Sequence, residues 1–241
     1  MSIHLVGGGS APEYNGEVYE EFLEEAADRA RARGVELPII GVLLVAEDPD
    51  SASEYAESLT AMLARVADCD VRATAIVEGE LFTPEAIAGV DAVSVWGGLT
   101  PAYLDAIIPV VETIRSLVGE GMPYLGYSAG AMIAADTAII GGWKINDIPV
   151  CAEDTGEELD DVTIVEGLGL VDLAIDVHAA QWGTLARLIA ATEAGIVEGG
   201  VAIDEYTALI VDDSEIRVVG TGSIWQVSLT DDGVLVSTLG A

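Results

Sequence analysis

Residues 124–132 read Tyr124-Leu125-Gly126-Tyr127-Ser128-Ala129-Gly130-Ala131-Met132. A short apolar run leads into a serine framed by two glycines, and small residues able to open a helix follow. Gly-x-Ser-x-Gly between a strand and a helix is a sharp turn that lifts a hydroxyl above a sheet, and it crowds the backbone so closely that a side chain at either flanking position would collide. The stretch therefore predicts a strand of an α/β fold ending in a candidate nucleophile at its carboxyl end, where open sheets bind ligands. With 27 Gly in 241 residues the pattern can arise by accident, so its surroundings decide. They fit: Met122 and Pro123 lead into the apolar run, and Ala131 to Ala135 are good helix material. Read alone, the turn also suits a tight strand-to-helix connection or an anion-binding helix start.

Working back from the turn, residues 3–6 read as a first strand, 18–33 as an amphipathic helix with Phe22, Ala26 and Ala30 in register, and 39–45 as a continuous apolar strand. Ser51 or Ser53 can cap a helix reaching about residue 66. Strands at 71–77 and 92–96 and a helix over 101–118, with Pro101 in its first turn, complete the approach to Ser128. Beyond the turn, residues 141–166 are acidic, lack periodicity, and read as a mobile flap or rim. An apolar strand at 168–175, a helix over 181–194 and strands at 201–204, 208–211, 216–219, 224–229 and 234–239 follow. Asp212-Asp213 and Asp232-Gly233 mark hairpin turns, which makes the sheet mixed and its C-terminal strands antiparallel. The fold class is α/β, a doubly wound, mostly parallel sheet with helices on both faces, and residues 1–241 read as a single domain.

Composition sets outer limits. The chain is 51% hydrophobic with mean hydropathy +0.45, yet no stretch approaches the roughly 20 apolar residues of a membrane span, so the apolar residues belong to buried strands. No basic, then apolar, leader opens the sequence, and a cytoplasmic protein is expected. Cys69 and Cys151 form neither a disulfide framework nor a metal-ligand spacing, so no metal and no cofactor are expected. Asp and Glu number 42 against 9 Lys and Arg, a formal net charge of -33, and Lys144 is the single lysine. Such a chain repels nucleic acid and anionic lipid. The charge also suits concentrated salt, an expectation that fails if the protein melts at the same temperature in dilute and in molar potassium chloride.

A serine hydroxyl attacks only when a positioned base takes its proton, and histidine is the usual base. His4 falls within the first strand, where a structural role is expected. His178, at a strand-to-helix junction, is then the base by elimination. A carboxylate must orient it, and Glu205, between two apolar strands, is the leading candidate, with Asp204 and Asp176 as competitors and a hairpin turn at Asp204-Glu205 as the bland reading. The oxyanion donors are expected at the amides of Ala129 and of Gly98, in the Gly97-Gly98 loop. Gly7, Gly8 and Gly9 lack the spacing of a phosphate cradle and read as a turn lining the same cleft.

Three motifs, GYSAGA around Ser128, the glycine pair of VWGGLT, and DVH with the downstream AIDEYTALIV, resemble the cyanophycinase and dipeptidase E family of serine peptidases over about residues 3–219. The resemblance implies a class I glutamine amidotransferase-like, flavodoxin-like fold and hydrolysis of a peptide bond in a small or aspartyl-linked peptide. By motif it carries the triad onto Ser128, His178 and Glu205, and it places Gly97, Thr100, Gln181 and Arg187 along the substrate. Val177, Trp182 and Thr184 depart from the cyanophycinase pattern DQHxxxRGRLxRL, which leaves the substrate open and speaks against aspartyl-arginine polymer. Expected partners are a small peptide substrate and a second copy of the chain as a homodimer. The rival readings are a glutamine amidotransferase-like domain, which would carry cysteine at position 128, and a non-catalytic binding domain that keeps the turn.

Overall fold

The computed structural model describes residues 2–9, 16–212 and 215–240. Strand β1 (Ser2–Val6) is wholly buried and runs into the glycines at 7–9. Helix α1 (Glu17–Ala32) buries Val18, Phe22, Ala26 and Ala30 along one face, the stripe that its periodicity predicts. Strand β2 (Ile39–Ala46) and helix α2 (Pro49–Val66) follow, and the cap is Asp48, whose carboxylate accepts from the amides of Asp50 and Ser51. Ser51 and Ser53 lie inside the helix, because Pro49 takes its first position and Asp48 is the residue before it. Then come β3 (Asp70–Val77) and β4 (Ala92–Val95). The helix expected over 101–118 is two, α3 (Thr100–Ile107) and α4 (Val111–Gly119), because Pro109 turns the chain through a 3-10 step.

Strand β5 (Tyr124–Tyr127) ends at Ser128, and α5 (Ala129–Met132) is a single turn, shorter than its composition suggests. The acidic segment is an ordered rim: β6 (Thr137–Gly141) pairs with β9 (Thr163–Glu166), and between them lie β7 (Lys144–Ile145) and β8 (Ile148–Pro149). Extended structure after it begins only at β10 (Ala174–Val177). The expected helix over 181–194 is split by Gly183, at φ +77°, into α6 (Ala179–Trp182) and α7 (Leu185–Glu193). The chain closes with β11 (Gly199–Ile203), β12 (Thr207–Asp212), β13 (Ile216–Gly220), β14 (Ser223–Thr230) and β15 (Gly233–Gly240).

Seven strands form the main sheet in the order β13-β12-β1-β5-β4-β2-β3, parallel from β1 to β3, with β12 and β13 added antiparallel. The expected single mixed sheet is in fact two: β10, β11, β14 and β15 make a second, four-stranded sheet. Asp204-Glu205 is accordingly no hairpin but the crossing from β11 to β12, from one sheet to the other. The β12-β13 and β14-β15 hairpins are present, with Asp213 of the first turn outside the described residues. Helices α1 and α2 pack on one face of the main sheet, and α3, α4 and the second sheet on the other. The chain leaves β2 toward one edge and β4 toward the other, so the carboxyl ends of these neighbours form the crevice where open α/β sheets take their ligands. No helix among the described residues is long and apolar enough to cross a membrane.

Candidate active site

At the end of β5 the backbone of Ser128 adopts φ 52° and ψ -110°, outside the regions open to ordinary residues, a conformation that costs about 1–3 kcal/mol. Both flanking glycines are required. A Cβ on Gly126 would lie 2.3 Å from the Gly130 carbonyl oxygen, and one on Gly130 would lie 2.1 Å from that of Val95. The turn is held by the Ser128 amide, which donates to the Val6 carbonyl at 2.9 Å, and by the Gly130 amide, which donates to that of Trp96. Thus β1, β4 and β5 together set the serine, and its side chain faces the imidazole of His178.

His178 ends β10 in a left-handed conformation, φ 55°, and its amide donates to the Gly7 carbonyl at 3.0 Å. Gly8, at φ +101°, lies against the ring: a Cβ there would stand 2.1 Å from His178 Cε1. The glycine loop after β1 is therefore a wall of the cleft, shaped to admit the imidazole. Ser128 Oγ lies 2.9 Å from His178 Nε2, and Glu205 Oε1 lies 2.8 Å from His178 Nδ1. This line of three groups has the spacing by which a carboxylate fixes an imidazole tautomer and leaves the other nitrogen to take a hydroxyl proton. Burial lowers the His178 pKa below its ordinary value, and the hydrogen bond and charge of Glu205 partly offset that pull. Trp182 stacks on the ring with centroids 3.8 Å apart, 7° from parallel.

The competing carboxylates have other employment. Asp204 accepts from the Ala180 and Ser223 amides and from Trp225 Nε1, which ties the start of α6 and both sides of the sheet crossing to one point. Asp176 is buried and paired with Arg187, at 2.8 and 2.7 Å to its two oxygens. Arg187 Nη1 donates to the carbonyls of Gly142 and Thr155, so this side chain, 1% exposed, anchors the rim to β10 and is closed to substrate. Thr100 is buried as well: its hydroxyl turns to Met132 Sδ and its amide donates to Glu157 Oε2 at 2.9 Å. Gln181 is exposed but faces the site's own backbone, accepting from the Glu205 amide at 2.9 Å and so fixing where that carboxylate begins. Of the four residues placed along the substrate, only Gly97 lies on the cleft surface, with its Cα so close to Ser128 that a Cβ would stand 2.9 Å from Ser128 Cβ.

Tyrosines behind the glycine pair were not singled out in the sequence. The hydroxyls of Tyr103 and Tyr55 both donate to the Gly97 carbonyl, at 3.1 and 3.4 Å. In a trans peptide the amide points opposite to the carbonyl, so the Gly98 N–H is turned away from the tyrosines. Helical spacing of Tyr103 after a Gly-Gly turn was the available signal, but the same spacing marks any core tyrosine. The cleft in front of Ser128 has a volume of about 860 Å³ and is walled by the ends of β2 and β3, by Gly97 and Gly98, by Trp182 and by the rim. Burial lifts the Glu157 carboxyl above its ordinary value, against the hydrogen bond from Thr100.

Comparison with known proteins agrees with this architecture. Cyanophycinases of Synechococcus elongatus and of Thermosynechococcus vestitus are each 36% identical to the chain over 126 residues, 51% of this chain and 36% of theirs, so the match spans about a third of these curated relatives. A peptidase from an acI-B1 actinobacterium has a similar fold, with a TM-score of 0.65 at 17% identity over 100% of this chain and 94% of that one. A family model matches residues 3–219, a span that includes the serine turn, the glycine pair, the histidine and the glutamate, and the chain belongs to peptidase family S51.

Proposed function

We propose that the protein is a serine peptidase acting on small peptides, with Ser128 as nucleophile, His178 as general base and acid, and Glu205 as the carboxylate that orients His178. The observation that carries this reading is the continuous pair of contacts from Ser128 Oγ to His178 to Glu205, at 2.9 and 2.8 Å, at the end of a strained strand-to-helix turn. Ser128 Oγ attacks the carbonyl carbon while its proton passes to His178 Nε2. The tetrahedral oxyanion accepts hydrogen bonds from the amides of Ala129 and Gly98, and no acceptor among the described residues takes either amide. His178 then gives the proton to the departing amine, which leaves an acyl ester on Ser128. Water, deprotonated by the same imidazole, hydrolyses that ester, and the serine regains its proton. The family assignment supports peptide-bond chemistry, and serine at position 128 speaks against the glutamine amidotransferase alternative.

The test is labelling by a fluorophosphonate, which reports an activated serine without requiring the substrate. Labelling of the wild type and its loss in Ser128→Ala, with circular dichroism unchanged, is the expected result; triad members act as a unit, so amide hydrolysis should fall by roughly 10⁴-fold or more. An unlabelled wild type would reject the assignment.

A further inference from the structure

The single turn α6 is pinned at both ends. The Ala180 amide donates to Asp204, the Trp182 amide donates to the His178 carbonyl at 2.8 Å, and the Thr184 hydroxyl, just past the turn, donates to the Val177 carbonyl. The turn thereby holds the indole of Trp182 over the imidazole four residues back, with ring centroids 3.8 Å apart and 7° from parallel. Two uncharged rings prefer an offset or edge-on approach, with centroids about 4.5–7 Å apart, because a close parallel stack sets like quadrupoles face to face. His4 meets Phe22 in that ordinary way, at 5.7 Å and 74°. A close parallel stack becomes attractive when one ring is a cation, most strongly on indole and where water is excluded. His178 becomes that cation whenever it takes the Ser128 proton. Burial opposes its charged form most, and Arg187 on α7 adds to that opposition, while Glu205 at Nδ1 and Asp176 on β10 favour the charge. The glycine loop against Cε1 and the Ser128 turn bring no charged side chain. The indole thus covers a ring face that water would otherwise solvate, and offers in its place a surface that suits the imidazolium.

We infer that Trp182 is a positioning residue for the base: its indole holds the imidazole between Ser128 and Glu205 and stabilises the imidazolium that forms when the serine proton is transferred. The catalytic consequence rests on the peptidase reading above, whereas the preference of the stack for a charged ring does not. Position 182 is one of those where the chain departs from the cyanophycinase pattern, so this support for the base comes from a residue outside the shared motif.

The experiment compares Trp182→Leu, which keeps an apolar cover on the ring and removes the π face, with Trp182→Phe, which keeps a π face. Trp182 is 48% exposed, so both variants should fold, as circular dichroism would verify. Proton NMR of the Ser128→Ala protein follows the titration of His178 without turnover, its signal identified as the one that His178→Gln removes. In the Leu variant His178 should titrate at lower pH by roughly half a pH unit or more, and in the Phe variant close to its parent. With Ser128 restored, the acid limb of kcat/KM should move in the same direction in the Leu variant, and kcat should fall about three- to tenfold and recover largely in the Phe variant. A His178 titration that stays in place or moves up in the Leu variant, or Leu and Phe variants that behave alike, overturns the inference; a merely structural role for Trp182 would lower kcat without moving the titration. A titration that moves as expected, in a protein whose wild type hydrolyses no peptide and takes up no fluorophosphonate, sustains the stack and sinks the peptidase reading instead.

Discussion

Two histidines in this protein stand beside a glutamate, and the two pairs have different fates. His4 lies in the middle of β1, fully buried, with Nε2 3.3 Å from Glu25 Oε2 and its ring edge-to-face on Phe22. His178 lies just past the end of β10, 6% exposed, between Glu205 and Ser128. The residue types are the same and the burial is similar, so neither supplies the reactivity. What differs is position along the strand. Within β1 the imidazole is enclosed by core and can only pair, whereas at a strand end a left-handed residue projects the ring into the crevice and leaves its second nitrogen toward a hydroxyl. The lesson is that a histidine-carboxylate contact is ordinary structure until the backbone exposes the imidazole's far side.

The substitution that breaks this comparison most deeply is Glu205→Gln, which keeps the shape of the pair and removes its charge. If Glu205 orients His178, kcat should drop by about a thousandfold with little change in KM, as expected for a group that acts on the base and not on substrate. The pH profile tests the same point. A general base acts in its neutral form, so if His178 is the proposed base, activity should be lost as pH falls through its pKa, which burial already holds below the ordinary value. Glu205 opposes that pull, and without it the acid limb of kcat/KM should move to still lower pH. A limb that stays in place or moves up would remove Glu205 from the site and reopen the competition with Asp204.

That competition shows how far the sequence could be read. Ser128 and its glycines were legible because a local steric constraint sets them, and His178 because the chain offers two histidines and the other falls inside a strand. Glu205 was one carboxylate among 42, marked by its place between apolar strands and by the resemblance of AIDEYTALIV to a family motif. The main sheet and its two helical layers followed from periodicity, but the division of the C-terminal strands into two sheets did not, since pairing partners are set by long-range packing that strand patterns do not encode. Arg187 was misplaced for a related reason. A motif gives a residue's position but not the direction of its side chain, and here Asp176, eleven positions earlier, draws the guanidinium inward. Tyr103 and Gln181, which hold the Gly97 carbonyl and the Glu205 amide, act through backbone groups that a sequence does not display.

Gly8→Ala attacks the same pair from the opposite wall and should have a smaller effect. The added methyl would require a strained φ of +101° and would stand 2.1 Å from His178 Cε1, so either the loop or the ring must move. A shift of about an ångström in a catalytic group costs on the order of 100-fold, and kcat should fall by that amount while the strands of the main sheet remain intact. Amide exchange should show loosening confined to the 7–9 loop and the start of α6. Unchanged kcat would mean that the imidazole has room to shift and remain productive, contrary to the tight enclosure described for it.

The smallest effect on activity should come from His4→Gln, the counterpart of these changes at the other pair. Burial raises the Glu25 carboxyl, but hydrogen bonds from His4 and Ser2 outweigh it and hold the pKa below its ordinary value. A carboxyl depressed in this way stabilises the fold above its unfolded pKa, and the contribution is lost as pH falls through the folded one. Replacing His4 should therefore lower the melting temperature at neutral pH by a few degrees, from one lost hydrogen bond of about 1 kcal/mol and a lost ring contact. The difference between variant and wild type should shrink in acid, once the pH has fallen below the lowered Glu25 pKa of the wild type and the carboxyl is protonated in both. Turnover should stay within about threefold of wild type, because β1 reaches the site through the backbone of Val6 and Gly7 and not through this side chain. A His4→Gln protein that folds normally yet loses turnover as Glu205→Gln does would show that the two pairs are coupled, and position along the strand would no longer explain their difference.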